Sequence, residues 1–220
     1  MEEFILSKPD GLTGFQALVK RVFDILWSAG SILILSPIII GVILAIKISS
    51  PGPLFFYQKR VGKDNQDFDM MKFRTMVVGA EKMGIQVGET DNRITGVGKF
   101  LRRFCLDELP QLFNVFGGNM SIVGPRPTLR YQVDKYTPEQ MRRLLVKPGM
   151  TGLAQVKGRN QIPWEQRIKY DIEYIDCYSF WLDLVIIAQT FGLIAGGEGV
   201  YGEGGKIAEE KSVQTTEVPK

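Results

Sequence analysis

The chain has 220 residues and a formal net charge of only +3. This length allows one domain with a hydrophobic core, or a domain joined to a membrane element, and the small charge argues against a nucleic-acid-binding protein. The sequence contains no histidine, which excludes Ser-His-Asp and Cys-His catalytic groups and most zinc sites. Cys105 and Cys177 lack metal-ligand spacing, so we expect a reducing compartment and two small buried side chains.

The N-terminal part of the chain is dominated by an apolar run. Residues 1–14 form a polar lead-in, and residues 15–24 have the spacing of an amphipathic helix. Residues 25–46 follow without a charge, and a helix of that run would be about 33 Å long, enough to cross the hydrocarbon core of a bilayer. A signal peptide is disfavoured because the run is long and no small-residue cleavage site follows it.

Ser36 and Pro37 lie in the middle of the apolar run. Pro37 cannot donate to the carbonyl of Leu33, so a helix is expected to kink or break here, and the Ser36 hydroxyl can bond a freed carbonyl one turn back. Basic residues flank both ends of the run, whereas a crossing helix usually has them mainly on one side. This pattern favours a re-entrant helix–break–helix, with a kinked transmembrane helix as the alternative.

The remaining residues predict short strands and several helices. Strands are expected at 54–58 and 68–73 around a polar turn, and residues 79–98 are expected to form a surface loop. Helical patterns cover 99–116, with an interruption at Pro110, then 131–145, 164–178 and the interfacial or core segment 179–195. Residues 147–160 are expected to form a glycine-punctuated loop or short strand, and the polar tail 197–220 is expected to be disordered.

Two adjacent carboxylates, Asp107 and Glu108, are the leading catalytic candidates. Neighbouring side chains on a helix diverge by about 100°, so one carboxylate can attack or bind metal while the other orients or accepts a proton. An ordinary exposed acidic pair near a helix end is the alternative. The absence of histidine and the preceding Arg102 and Arg103 favour a functional pair.

Further basic residues are candidates for phosphate binding. Pro125 and Pro127 restrict the backbone on either side of Arg126, so its guanidinium would be held on a stiff support, although a rigid turn with a solvated arginine fits as well. Lys72 and Arg74 would share one face of a strand. Arg159, with Lys147 and Lys157, lies among glycines that would let backbone amides approach an anion.

Taken together, these segments resemble the bacterial sugar transferase family, the monotopic phosphoglycosyl transferases. The resemblance covers roughly residues 15–196 and rests on KRVFDI, Ser36-Pro37, SSPGPLFFYQKRVG, FDMMKFRTM, LRRFCLDELPQLFNVFGGNMSIVGPRPT, KPGMTGLAQVKGRN and SFWLDLVIIAQT. Relative to longer family members, the chain resembles the short form that lacks an N-terminal four-helix membrane region.

The resemblance implies transfer of a sugar-1-phosphate from a UDP-sugar to polyprenyl phosphate, usually undecaprenyl phosphate, with release of UMP. It implies that Asp107 attacks the β-phosphate, giving a phosphosugar-aspartyl intermediate, and that Glu108 acts as base or orienter. Mg²⁺ would bind near Asp107, Arg126 would lie near the nucleotide, and Arg102 would meet phosphate at the membrane boundary. The sugar and the oligomeric state, including a homo-oligomer, stay open.

The expected architecture is a mostly helical α+β fold. The resemblance implies a re-entrant membrane helix within residues 15–48 and a small cytoplasmic catalytic domain at 49–196, with short strands and interfacial amphipathic helices. The protein would lie on the cytoplasmic face of the bacterial inner membrane, among membrane lipids. Two rival functions are a metal-dependent nucleotide-sugar hydrolase at the membrane surface and a non-enzymatic scaffold that binds anionic lipid.

Overall fold

A single long helix, α1, runs from Gly14 to Ser49. The computed structural model describes residues 12–80, 91–158 and 161–196. The helix begins at a capping box, in which Thr13 Oγ1 accepts from the Gln16 amide and Gln16 Oε1 accepts from the Thr13 amide. In the described part of the chain, α1 is the helix that is long and apolar enough to cross a membrane.

Helix α1 continues through Pro37. The Ser36 hydroxyl donates to the Leu33 carbonyl at 2.8 Å, which confirms the predicted replacement for the backbone hydrogen bond that Pro37 cannot make. The proline therefore removes one donor without ending the helix. Of the kink or break predicted at Pro37, the break is absent, because α1 is one helix from Gly14 to Ser49, while a kink and re-entry stay predictions.

Both halves of α1 pack against the same domain. Asp24 is buried in the first half, and its Oδ1 accepts from Ser121 Oγ at 3.0 Å and from the Ile122 amide at 2.9 Å. In the second half, Ile46 is buried in a cluster with Phe73 of the domain. The two halves of the helix are therefore both anchored to the same domain. The outer face of α1 exposes large apolar side chains, among them Leu33, Ile34, Ile40, Leu44 and Ile48.

The domain is built from two small sheets, seven further α-helices and three short 3₁₀ helices in the described residues. Strands β1 (Phe55–Val61) and β2 (Asp67–Phe73) are antiparallel, with Phe55 opposite Phe73. Strands β3 (Ser121–Val123) and β4 (Gly149–Thr151) are parallel. The helices are α2 (Gly96–Arg103), α3 (Gln111–Gly117), α4 (Arg130–Val133), α5 (Pro138–Met141), α6 (Leu153–Gly158), α7 (Trp164–Asp176) and α8 (Phe180–Gly196).

The main core joins β3 to the helices around it. It contains Val115 of α3, Val123 of β3, Tyr174 of α7 and Ile186 of α8, each at most 1% exposed. Phe23 and Trp27 of α1 pack against this core from outside. The mostly helical α+β class is confirmed.

Several local predictions differ from the structure. Residues 153–158 form a helix where a loop or short strand was expected, because the apolar side chains of Leu153 and Ala154 are buried against the domain. Helix α2 starts at Gly96, inside the predicted surface loop, because Thr95 caps it by accepting from the Gly98 amide at 2.9 Å. The cysteines are not both buried, since Cys177 is exposed and Cys105 is partly exposed. The predicted tail at 197–220 lies outside the described residues.

Candidate active site

The two candidate carboxylates lie on a tight turn between α2 and α3. Helix α2 ends at Arg103, and Cys105 adopts a left-handed conformation with φ of 55°. A single turn of 3₁₀ helix, Leu106–Glu108, follows, and Pro110 precedes the first residue of α3. The left-handed residue redirects the chain at the end of α2, and the short turn then presents Asp107 and Glu108 to the interior.

Asp107 is buried, at 9% exposure, and it has no hydrogen bond or ion pair to any residue that the structure describes. Burial raises the pKa of its carboxyl group, and the negative charge of Glu108 adds to this effect. The positive charges of Lys72, Arg102 and Arg126 act in the opposite direction and favour the ionised form. Asp107 is therefore a carboxylate surrounded by cations but not bound to any of them.

Glu108 has the opposite environment. Its Oε1 accepts from Lys72 Nζ at 2.7 Å and from Arg126 Nη2 at 2.8 Å. Burial alone would raise the pKa of Glu108, but the charges and hydrogen bonds of Arg126 and Lys72 outweigh it and hold the pKa well below its usual range. Glu108 is thus a fixed anion that holds two cations beside Asp107, and it is poorly suited to accept a proton near neutral pH.

The Pro125-Arg126-Pro127 segment is held by three backbone contacts. Its three carbonyls accept, in order, from the Gly149 amide at 2.9 Å, from Arg143 Nη2 at 3.2 Å and from Arg60 Nη1 at 3.2 Å. The Glu108 carboxylate raises the pKa of the Arg126 guanidinium still further. Arg126 is therefore a rigidly supported cation, as its flanking prolines predict.

The glycines after Lys147 serve backbone packing. A Cβ on Gly149 would lie 2.1 Å from the Gly124 nitrogen, and a Cβ on Gly152 would lie 2.2 Å from the Gly124 oxygen. Both positions therefore have to be glycine for β4 to approach the residue that precedes Pro125. This close packing accounts for the two glycines, and the approach of their backbone amides to an anion stays a prediction.

The other predicted phosphate-binding residues lie in different surroundings. Arg102 is anchored by a hydrogen bond from its Nε to Thr75 Oγ1 at 2.9 Å, and in the described chain its two terminal nitrogens have no partner. Arg74 is buried, and its terminal nitrogens donate to Ser50 and Pro51, so it holds the chain just after α1. Arg159 lies outside the described residues.

A cavity of about 1120 Å³ contains these groups. Its polar part is lined by Lys72, Arg74, Arg102, Asp107, Glu108, Arg126 and Pro127. Its apolar part is lined by Trp27, Leu35 and Ile38 of α1, by Leu109, Leu112, Ile122 and Met150, and by Ile187, Phe191 and Ile194 of α8. One cavity therefore joins a cationic region that contains a free carboxylate to an apolar region formed partly by α1.

Asn114 is a supporting residue that the sequence patterns did not single out. Its Oδ1 accepts from the Met71 amide at 2.9 Å, and its Nδ2 donates to the Asp69 carbonyl at 2.8 Å. It thereby fixes β2 immediately before Lys72. The signal was a polar residue between the apolar residues Phe113 and Val115 of α3.

The site offers one carboxylate to a divalent cation. In the described residues no three His, Cys, Asp or Glu side chains cluster in a way that would enclose a metal ion. Asp107 nevertheless offers an unpaired carboxylate, while Glu108 is occupied by Lys72 and Arg126. Mg²⁺ is commonly held by one or two carboxylates together with substrate phosphates, so the residues fit a substrate-assisted magnesium site but not an all-protein cage.

Comparison with known proteins gives a consistent result. The sequence profile described as "Bacterial sugar transferase" matches residues 15–197. The chain is 43% identical over 83% of its length to the UDP-N-acetylgalactosamine-undecaprenyl-phosphate N-acetylgalactosaminephosphotransferase of Aeromonas hydrophila. It is 43% identical over 81% of its length to the UDP-glucose:undecaprenyl-phosphate glucose-1-phosphate transferase of Escherichia coli K12.

The chain covers different shares of its relatives. It spans 45% of the Aeromonas protein and 40% of the Escherichia coli protein. It spans 90% of the uncharacterized sugar transferase EpsL of Bacillus subtilis, to which it is 39% identical over 83% of its own length. Because the family profile covers most of the chain and the identities exceed 30%, the chain belongs to the bacterial sugar transferase family.

Proposed function

We propose that the protein transfers a sugar-1-phosphate from a UDP-sugar to undecaprenyl phosphate and releases UMP. The observation that carries this proposal is Asp107, an unpaired buried carboxylate among the positive charges of Lys72, Arg102 and Arg126. The names of the relatives from Aeromonas and Escherichia coli specify a UDP-sugar donor and an undecaprenyl-phosphate acceptor. The arrangement suits an attack by a carboxylate on a phosphate group.

In the first step, a carboxylate oxygen of Asp107 attacks the β-phosphorus of the UDP-sugar. A phosphorus–oxygen bond forms to Asp107, and the bond between that phosphorus and the oxygen bridging to UMP breaks. UMP leaves with the electron pair, and the sugar phosphate stays attached to Asp107. Asp107 is suited to this role because, among the residues that the structure describes, it has no ion pair or hydrogen bond to break before it attacks.

In the second step, a phosphate oxygen of undecaprenyl phosphate attacks the same phosphorus. The bond to Asp107 breaks, the carboxylate recovers its electron pair, and the product is a lipid-linked diphosphate sugar. Dividing the transfer in this way lets the water-soluble donor and the lipid acceptor react in turn at one carboxylate. No proton has to be removed from either nucleophile, which agrees with a Glu108 that orients cations and does not act as a base.

The cations counter repulsion between the carboxylate and the diphosphate. Lys72 and Arg126 are both held by Glu108, so they are positioned before the substrate binds, and such preorganised charge is effective in a partly water-excluded site. Arg102 is anchored through Nε and has two terminal nitrogens that suit phosphate oxygens. Bound Mg²⁺, held by Asp107 and the diphosphate, would supply further charge neutralisation.

The apolar part of the cavity supports the proposal that the acceptor is a lipid phosphate. It is formed by side chains of α1 and α8 and is continuous with the region around Asp107. A prenyl chain in this part would place its phosphate near the carboxylate. We further propose that the protein sits on the cytoplasmic face of the bacterial inner membrane with α1 re-entrant, since both halves of α1 contact the same domain.

Replacing Asp107 tests the proposal. Asp107→Asn should lower UMP release by roughly 10³-fold or more, because amides are very poor nucleophiles. The wild-type protein incubated with UDP-sugar, without lipid, should gain the mass of a sugar phosphate at Asp107 and exchange labelled UMP into UDP-sugar. Asp134→Asn, which changes an exposed aspartate outside the cavity, is the matched control and should retain full activity.

The incubation of wild-type protein with UDP-sugar, without lipid, also distinguishes a transferase from a hydrolase. A hydrolase would release UMP and free sugar phosphate continuously without lipid, and it would catalyse no exchange of labelled UMP. Full turnover by Asp107→Asn, or sugar phosphate released to water in place of the adduct, would contradict the proposal.

A further inference from the structure

Gln155 of α6 has a buried side-chain amide without a hydrogen-bond partner. Both Oε1 and Nε2 are covered from solvent, and neither bonds to any residue in the described part of the chain. Gln155 also lines the cavity that contains Asp107. Leaving both a donor and an acceptor unpaired is unfavourable, so a ligand that pairs with them gains affinity.

The backbone makes room for this amide. A Cβ on Gly152 would lie 2.9 Å from Gln155 Oε1 and 2.2 Å from the Gly124 oxygen. Gly124 directly precedes the Pro125-Arg126-Pro127 segment, whose arginine binds Glu108. The amide therefore lies beside the base of the segment that carries a cation of the active site.

The cavity that Gln155 lines also has an aromatic and a further polar component. Trp164 lines it, and the Arg143 guanidinium lies 5.4 Å from the centre of the Trp164 ring. Thr151 also lines it, but the Thr151 hydroxyl already bonds to that of Thr190 at 2.7 Å. Gln155 thus supplies the cavity with polar atoms whose hydrogen-bonding capacity is unused.

We propose that Gln155 recognises the donor substrate by pairing with a group that presents a carbonyl and an N–H side by side. A turn about its side-chain bonds brings the amide into the cavity, where Oε1 accepts from the ligand N–H and Nε2 donates to the ligand carbonyl. A UDP-sugar carries this chemistry in the uracil ring, where the ring N–H and an adjacent carbonyl point the same way; the acetamido group of an N-acetylated sugar is a trans amide and cannot make both bonds. The inference rests on the proposed function and adds a recognition residue to it.

Binding measurements on Gln155→Leu test the inference. Titration calorimetry would use protein that also carries Asp107→Asn, with UMP, UDP-glucose and UDP-N-acetylglucosamine as ligands. We expect an affinity loss of about tenfold, the effect of two neutral hydrogen bonds. An equal loss for all three ligands identifies uracil as the partner, and a loss confined to UDP-N-acetylglucosamine overturns the inference, because a trans acetamido group cannot pair with both atoms of the amide. Gln161→Leu, at an exposed glutamine outside the cavity, should leave all three affinities unchanged.

Thermal unfolding supplies a second readout. Leucine removes two unpaired buried polar atoms while keeping similar bulk, so the ligand-free Gln155→Leu protein should melt at the same temperature or higher. If Gln155→Leu does not fold, Gln155→Glu takes its place, since it keeps the shape but lacks the amide donor, and it should also lose affinity. Unchanged affinity of Gln155→Leu for every ligand overturns the inference. The inference is also overturned if Gln155→Glu melts at a lower temperature than the wild-type protein but binds the ligands with wild-type affinity.

Failure of the proposed function is distinguishable from failure of this inference. If the wild-type protein forms no adduct at Asp107 but Gln155→Leu still weakens ligand binding, the recognition role stands and the transfer mechanism falls. If the adduct forms and the three affinities are unchanged in both Gln155 variants, only the role of Gln155 is overturned.

Discussion

Two adjacent carboxylates in this protein have opposite surroundings. Glu108 is bound by Lys72 and Arg126, so it is held ionised, whereas Asp107 is buried next to the same charges without a direct contact. This difference suggests a division of roles in which Glu108 positions the cations and Asp107 attacks. Burial raises the pKa of Asp107, so some of its reactivity depends on the cations that keep it ionised.

The pH dependence of the transfer tests this view of Asp107. The attacking form is the ionised one, so kcat/KM should rise with pH through the raised pKa of Asp107, above the ordinary value of about 3.9. Arg102→Met removes a positive charge that lowers this pKa, so the acid limb should move to higher pH. Arg103→Met, at the exposed neighbouring arginine outside the cavity, should leave the limb in place.

The contribution of Asp107 to the free energy of unfolding changes with pH in the opposite direction to its contribution to kcat/KM. Because its pKa is higher in the folded than in the unfolded protein, its contribution to folding is fully present below the unfolded pKa and is lost as the pH rises through the folded pKa. Glu108, with a lowered pKa, contributes stability above its unfolded pKa of about 4.3 and loses it as the pH falls through the folded pKa.

In the kinetic experiment, an acid limb of kcat/KM that moved equally in Arg102→Met and Arg103→Met would contradict the role given to Arg102.

At the scale of elements, α1 combines two functions. Its outer face carries exposed apolar side chains suited to lipid, and its inner face packs on the domain through Asp24 in the first half and Ile46 in the second. A helix whose two halves contact one domain has both ends beside that domain. This arrangement supports the proposed re-entrant topology, and Ser36 protects the Leu33 carbonyl that Pro37 leaves unpaired in the apolar run.

Cysteine labelling tests the topology. In a background without Cys105 and Cys177, Glu3→Cys and Asp64→Cys should both react with an impermeant maleimide in inside-out vesicles and remain unlabelled in intact cells. A membrane-permeant maleimide should label both cysteines in either preparation, which provides the control. Labelling of one cysteine in intact cells and of the other only in inside-out vesicles would exclude re-entry.

At the scale of the whole molecule, a buried network joins the two apolar helices. Lys20 of α1 donates from Nζ to Asp183 Oδ2 at 2.6 Å, and Tyr174 of α7 donates to Asp183 Oδ1 at 2.7 Å. The Lys20 and Asp183 side chains are 6% and 0% exposed. The network connects residues 163 positions apart and holds α1 and α8, which both line the apolar part of the cavity, to the same core.

Removing one partner of this buried pair should be costly. Lys20→Met leaves a carboxylate buried without its cation, and we expect a loss of about 3–5 kcal/mol in the free energy of unfolding. The double variant Lys20→Met/Asp183→Asn should recover most of this loss, because the amide oxygen still accepts from Tyr174. Denaturation in detergent micelles measures both values.

An exposed ion pair supplies the matched control for Lys20. Lys59 and Asp69 lie 3.4 Å apart with side chains that are 76% and 56% exposed, so Lys59→Met should change the free energy of unfolding by no more than about 1 kcal/mol. Equal losses for Lys20→Met and Lys59→Met would mean that the buried pair does not tie the helices together.

Much of the fold was predictable because its signals are local. The β1–β2 pair, the interruption at Pro110 and the helix from Trp164 follow from alternation, proline chemistry and helical spacing over short stretches. Helix α6 was missed because the burial of Leu153 and Ala154 depends on distant packing. Of the predicted kink or break at Pro37, the break does not occur, because Ser36 bonds the freed carbonyl and the backbone stays helical.

The sequence by itself determined the apolar run, the absence of histidine, the motif around Asp107 and Glu108, and the resemblance to the sugar transferase family. Only the tertiary structure decided which of the two carboxylates is free. The partners of Glu108 lie 36 and 18 residues away in the chain, and the anchor of Arg74 lies 23 and 24 residues away. Local patterns cannot report such contacts, because a side chain's charge state and reactivity depend on which distant groups the fold brings next to it.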